Sequence, residues 1–262
     1  MEVTIALAQM AISLDRPEEN YQAAQSLATK AFTQEADLLV LPELWATGYN
    51  LGRASEQAAP LDMGHFALMA ELAQVHGLYV TGTALEENPG GRPFNTAALY
   101  GPDGRRLGAY RKVHLWAPLG EVEHLTPGDA LPVFELPWGT VAMAICYDLR
   151  FPELWRRFAD AGAQLILIPA EWPIRRVEHW RLLLRARAVE NQLYVAGCNR
   201  AGVDADGEFG GHSAVVDPWA RVLVEGGSQP NLLVTSIDLD EVARARRLFP
   251  FLTDRRPDVY GQ

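Results

Sequence analysis

Val141-Ala142-Met143-Ala144-Ile145-Cys146-Tyr147-Asp148 is an apolar run that closes on a thiol and a carboxylate, and an amphipathic stretch begins just beyond it. Continuous apolarity over so few residues reads as a strand covered on both faces, and residues 151–161 read as a helix that ends at Gly162. A thiol at a strand-to-helix turn lies near the unpaired N–H groups of the helix N-terminus. Those groups favour thiolate and are placed to receive an oxyanion. A free cysteine is equally at home as a small core hydrophobe, so the run alone leaves both readings open.

The same style extends in both directions. Residues 3–9 read as a strand, followed by a helix capped by Asp15, with Pro17 in its first turn, running to about Gln34. Asp37-Leu38-Leu39-Val40-Leu41 reads as a second buried strand, which delivers Glu43 directly after Pro42. A helix near 62–76 stops at Gly77, and a strand follows over 78–84. Strands at 95–100 and 106–110 flank the turn Gly101-Pro102-Asp103-Gly104, and strands at 133–136 and 140–146 flank Pro137-Trp138-Gly139. Further on, 164–168 reads as a strand ending before Pro169. Val177, Trp180, Leu184 and Ala188 mark one face of a helix over 175–191. Strands near 193–198, 212–217, 221–225 and 232–238 precede a helix from Asp240. Hairpins interrupt the strict alternation that a (β/α)₈ barrel requires, so a layered α/β sandwich is expected.

Composition narrows the function classes. The 262 residues are 48% hydrophobic and 21% charged, as in globular proteins, and one domain spanning 1–262 is expected. With 23 Lys and Arg against 33 Asp and Glu, the net charge of −10 gives no basic footprint for nucleic acid or anionic lipid. Met1-Glu2-Val3 leads straight into apolar sequence without a basic n-region, and no apolar run approaches a membrane span, so a cytoplasmic location is expected. Two cysteines, Cys146 and Cys198, do not suggest a secreted disulfide framework. Cys198, inside an apolar run, reads as structural.

Two strand ends carry further candidates. A carboxylate at Glu43, partly desolvated by its strand, is a stronger base, though a solvated or Arg-paired Glu fits the same position. In Tyr110-Arg111-Lys112-Val113-His114-Leu115, Lys112 reads either as a solvated edge residue or as a cation beside developing negative charge. A Cys–His pair would need one of six histidines, at 65, 76, 114, 124, 179 and 212, near Cys146, and no local motif selects one. There is no H-E-x-x-H, C-x-x-C or phosphate loop, so no metal and no cofactor are expected.

Taken together, several segments closely resemble the nitrilase superfamily of carbon–nitrogen hydrolases. They are Leu41-Pro42-Glu43-Leu44, 110–115, Glu121 with Leu125, Pro127 and Gly128, and Cys146-Tyr147-Asp148-Leu149-Arg150-Phe151-Pro152-Glu153. The stretches 185–192, Gly211-His212-Ser213 and Asp217-Pro218-Trp219 also match, in order along the chain. The resemblance implies a four-layer α-β-β-α sandwich that assembles as a homodimer or higher homo-oligomer. It implies Cys146 as nucleophile, Glu43 as general base, Lys112 as oxyanion cation with the Tyr147 backbone N–H, and Glu121 as a supporting carboxylate. Nitrilases typically carry Cys-Trp-Glu where this chain has Cys-Tyr-Asp, which is similar to the omega-amidase and deaminated-glutathione amidase branches. Glu43–Tyr49 and Ala170-Glu171-Trp172-Pro173 resemble bacterial omega-amidases, although mammalian ones carry Cys-Phe-Asn where this chain has Thr47-Gly48-Tyr49. The implied substrate is a small amide with a carboxylate, foremost 2-oxoglutaramate. The alternatives are deaminated glutathione, an N-carbamoyl amino acid, a nitrile, or a non-catalytic binding role. An acidic protein needs local positive charge to hold such an anion, and Arg150, Arg175 and Arg176 are the candidates, with Tyr49 and Trp172 as pocket walls.

Overall fold

The computed structural model describes residues 1–204 and 207–260. Strands β1 (Glu2–Gln9), β2 (Leu38–Val40), β3 (Tyr79–Glu86), β4 (Phe94–Tyr100) and β5 (Arg106–Arg111) come from the first part of the chain. The second part gives β6 (Val133–Leu136), β7 (Gly139–Met143), β8 (Leu165–Ala170) and β9 (Tyr194–Asn199). After these come β10 (Ala201–Asp204), β11 (Gly207–Gly210), β12 (Ala214–Val216), β13 (Val222–Glu225) and β14 (Asn231–Asp238). They form two sheets, ordered β14-β1-β2-β3-β4-β5 and β13-β12-β9-β8-β7-β6, with β10-β11 as a separate hairpin.

Alternation along the strands makes the layers. Ile5, Leu7, Leu38, Val40 and Leu99 of the first sheet share one buried cluster with Val141, Met143, Leu165 and Val195 of the second. Their neighbours Ala6, Ala8, Leu39, Val80 and Ala98 pack instead against helices Pro17–Thr33 and Gly64–His76, through Ala24, Ala28, Phe66 and Met69. Helices Pro152–Asp160 and Val177–Asn191 cover the second sheet with Trp155, Phe158, Trp180 and Leu184. The architecture is the expected α-β-β-α sandwich. Among the described residues no helix is long and apolar enough to cross a membrane.

Several local expectations need correction. Asp15 does not cap the first helix. It sits at φ +56 and its carboxylate accepts from Asn50 and Gln57, tying a loop down instead. Strand β8 continues through Pro169. The Ala144 N–H bonds Leu167 O, so odd positions of β8 face β7, and β7 has ended at Met143. The missing proline N–H therefore leaves no ladder bond unmade. Cys146 lies past the strand, as the first residue of a 3₁₀ turn, Cys146–Arg150. The short hairpin β10-β11 carries no clear apolar alternation and was not expected.

The helix on β9 approaches closely at Gly197, where a Cβ would stand 2.7 Å from the Trp180 ring and 2.9 Å from Leu184. Alanine is otherwise the better strand residue, but both neighbours are fully packed, so overpacking decides the sign. Gly197→Ala should lower stability by about 1–3 kcal/mol, read as a reduced thermal midpoint. An unchanged midpoint would show that this helix can shift without cost.

Candidate active site

The carboxyl ends of β2, β7 and β8, all running parallel within their sheets, converge on one point, where open α/β sheets gather their sites. Glu43 follows β2, Cys146 follows β7 and Glu171 follows β8. Lys112 comes directly after β5, its N–H bonded to Asn95 O on β4. Glu121 opens a short helix after Gly120, whose φ of +77 suits glycine. The sequence-derived quartet of Glu43, Lys112, Glu121 and Cys146 is thus brought together from four separate segments.

All four are buried. Lys112 Nζ donates to Glu43 Oε1 at 2.8 Å, to Glu121 Oε1 at 2.6 Å and to the Tyr49 hydroxyl at 3.2 Å. Glu43 Oε1 also accepts from Tyr49 (2.5 Å) and Asn95 Nδ2 (2.8 Å), and Oε2 accepts the Glu171 N–H at 3.0 Å. Glu121 Oε1 lies 2.8 Å from the same Tyr49 oxygen, whose single hydrogen serves one carboxylate at a time, and Oε2 accepts from the Trp116 N–H at 2.5 Å. An ammonium sealed from water is tolerated only when paired, and two carboxylates pair this one.

Charge and burial set the protonation states. Burial pulls the Lys112 ammonium down, but Glu121 and Glu43 outweigh it and hold it above the usual lysine value. Burial pushes Glu121 up against the opposing pull of Lys112. The Cys146 thiol is raised well above its ordinary value, by burial first and by the Glu43 charge second. Cys146 therefore rests as the thiol, with the proton still on sulfur. Among the described residues no histidine lines the cavity at Cys146. His114 is engaged by Asp148 instead.

A cavity of about 170 Å³ opens onto Cys146 and is lined by Trp116, Tyr147, Arg150, Trp172, Pro173 and Arg176. Arg150 lies over the Trp172 ring at 4.6 Å and Arg176 over the Trp116 ring at 4.9 Å. Burial, and after it the neighbouring Arg176 charge, lowers the Arg150 guanidinium from its usual value. Neither arginine makes an ion pair with an acidic side chain among the described residues. A larger depression of about 740 Å³ lies elsewhere, among Arg156, Asp160, Glu190 and Arg255, and holds no nucleophile.

Two pocket expectations fare differently. Arg175 is exposed and does not line the cavity. Tyr49 is no pocket wall: its hydroxyl sits inside the polar cluster between Glu43 and Glu121, and its phenol is raised well above the ordinary value by burial first and both carboxylates after. Residues not foreseen are Asn95, a buried amide in an apolar strand, Trp116, and the Glu171 N–H. Only Asn95 left a signal in sequence, as a polar residue beginning a strand that is otherwise apolar. Among the described residues no group of three or more His, Cys, Asp or Glu side chains could hold a metal ion.

The carbon-nitrogen hydrolase family model matches residues 4–247. The 2-oxoglutaramate amidase of Bacillus subtilis is 39% identical over 260 residues, covering 99% of this chain and 100% of that protein. The omega-amidase NIT2 of Homo sapiens is 35% identical over 266 residues, covering 98% and 96%. A CN-hydrolase superfamily protein of Xanthomonas campestris, solved with an arsenic adduct in its active site, superposes with a TM-score of 0.91 at 30% identity, covering 97% of each chain. An amidase of Nesterenkonia sp. AN1, solved with butyramide as a cysteine-to-alanine mutant, gives 0.87 at 30% identity, covering 98% of this chain and 95% of that one.

Cys146 faces the cavity, whereas Cys198 is fully buried and its thiol is raised by burial. Iodoacetamide should therefore label Cys146 first, and faster as pH rises above neutral, because a raised thiol gains thiolate only in that direction. Peptide mass spectrometry reads both sites, and earlier labelling of Cys198 would overturn the assignment.

Proposed function

The chain belongs to the carbon–nitrogen hydrolase family, and from that premise we propose that it is an omega-amidase, releasing ammonia from 2-oxoglutaramate through a Cys146 thioester. The observation that carries this reading is the buried ion pair of Glu43 with Lys112 behind a small cavity that opens onto Cys146 and carries two guanidiniums.

Glu43 takes the proton from Cys146 Sγ as the sulfur attacks the amide carbonyl, so no free thiolate is needed from a thiol held well above neutral. The carbonyl oxygen becomes an oxyanion held by Lys112 and the Tyr147 N–H, which lies in the first turn of a helix where N–H groups lack intrahelical partners. Lys112 already directs three contacts, and the one to Tyr49, at 3.2 Å, is the longest and the one to yield. Glu43 then gives its proton to the nitrogen, the carbon–nitrogen bond breaks, and ammonia leaves a thioester. A water deprotonated by Glu43 attacks that thioester, and the acid departs as the thiol is restored.

Arg150 and Arg176, both without an acidic partner, suit the substrate carboxylate. At about 170 Å³ the cavity lies below the ~300–1,000 Å³ of drug-sized sites, which favours a five-carbon amide over deaminated glutathione. The same reading takes the chain as one cytoplasmic domain that pairs with a second copy. Two free cysteines suit a reducing compartment, and exposed Leu248 and Phe249 suit a covered face.

On a panel of 2-oxoglutaramate, glutamine, deaminated glutathione, N-carbamoyl amino acids and nitriles, ammonia release should be fastest with 2-oxoglutaramate. Cys146→Ser should abolish it, and loss of the Lys112 ammonium should cost ~10²–10³ in rate. Activity on nitriles alone, or silence throughout, would sink the proposal. Arg150→Ala and Arg176→Ala should each raise KM for 2-oxoglutaramate by roughly ten- to a hundredfold, leaving a neutral amide such as butyramide unaffected. Equal losses on both amides would show that the arginines only shape the pocket.

A further inference from the structure

Asp148 is fully buried two residues beyond Cys146, yet no proton transfer described above uses it. Its carboxylate gathers four hydrogen bonds. Oδ2 accepts from the Ile145 N–H at 3.0 Å and from the Tyr110 hydroxyl at 2.7 Å. Oδ1 accepts from the His114 N–H at 3.0 Å and is 2.8 Å from His114 Nδ1. The positions of these donors are informative. Tyr110 and His114 flank Lys112 at equal distance along the chain, and Ile145 immediately precedes Cys146.

Both sides need holding. Cys146 adopts φ +42, a left-handed conformation that non-glycine residues avoid, at the turn that aims its sulfur. The Asp148 N–H returns a bond to Ile145 O at 2.9 Å, closing that turn on itself. On the other side, Lys112 follows the last residue of an edge strand, its N–H bonded to Asn95 O and its carbonyl to the Gly128 N–H, and the chain then leaves the sheet. The His114 ring stacks flat on Phe151, with centroids 3.6 Å apart, and Phe151 lies in the segment that follows the same turn. Burial first, and the Asp148 charge after it, pushes the Tyr110 phenol well above its ordinary value, so its hydroxyl remains a donor.

We propose that Asp148 is a positioning residue that fixes the separation of Lys112 Nζ from Cys146 Sγ, by binding the chain on both sides of Lys112 and at the turn that carries Cys146. It rests on the roles given above to those two residues. Buried within the protein and ringed by donors, Asp148 touches no substrate. It acts through the ammonium and the thiol. A displacement of about 1 Å at a reacting pair can cost ~10²-fold in rate, which sets the scale.

The test uses Asp148→Asn and Tyr110→Phe, with 2-oxoglutaramate as substrate and thermal unfolding measured beside kinetics. Asp148→Asn should lower kcat by about 10²-fold and Tyr110→Phe by about tenfold, with KM unmoved. If Asp148→Asn fails to fold, Tyr110→Phe carries the test, since it removes one hydroxyl only. A cycle adds the discriminating readout: in a Lys112→Gln background, Tyr110→Phe should cost little further rate, because its effect passes through the ammonium. Parent-like kcat in folded Tyr110→Phe, or the same cost with and without Lys112, overturns the proposal while leaving the catalytic roles intact. Full turnover by Lys112→Gln or Cys146→Ala overturns those roles and the proposal with them.

Discussion

An ammonium with no access to water holds this site together. Lys112 is placed among Glu43 and Tyr49 of the loop after β2 and Glu121 of a separate segment. Removing a partner from such a buried pair leaves an uncompensated charge, commonly a cost of about 3–5 kcal/mol, so the cluster constrains the loops around it as firmly as it serves chemistry. Two carboxylates and one ammonium leave the cluster net negative, and that sign helps to keep the neighbouring thiol protonated. In the proposed reaction a thiol held this way needs a nearby base, the part given there to Glu43.

Much of this was legible because the candidate residues sit at strand ends. Short apolar runs closing on Glu43, Lys112 and Cys146 report both a buried strand and a reactive side chain beyond it, and Gly77 and Gly162 punctuate helices as glycine does. What was not legible depends on partners distant in sequence. Asp15 looks like a cap to any local reading, and only Asn50 and Gln57 draw it elsewhere. Tyr49 reads as an aromatic wall until Glu43 and Glu121 close on its hydroxyl. The Glu171 N–H is a backbone donor, which no side-chain pattern announces.

Charge is segregated in a way that the overall balance hides. A chain with net charge −10 repels an anion at long range, so any anion site must be local and desolvated. Arg150 and Arg176 meet that requirement by stacking on Trp172 and Trp116 instead of pairing with acids. The aromatic faces orient the guanidiniums without neutralising them, and each keeps its donors available. Arg175 lies between Trp172 and Arg176 in sequence but points to solvent, which shows how narrowly the short turn Ile174–Arg176 selects what enters the cavity.

Two carboxylates flank one ammonium, and their surroundings separate their tasks. Glu121 has both oxygens engaged, Oε1 by Lys112 and Tyr49 and Oε2 by the Trp116 N–H, and it has no contact with sulfur. Glu43 divides its load unevenly. Oε1 carries Lys112, Tyr49 and Asn95, whereas Oε2 carries the Glu171 N–H alone and keeps a lone pair free. A carboxylate oxygen with spare acceptor capacity is the one that can take a proton and later return it. The more heavily bonded oxygen keeps the group in place during that exchange. In the proposed reaction Glu43 is therefore the carboxylate suited to carry the proton, while Glu121 helps to keep the ammonium charged.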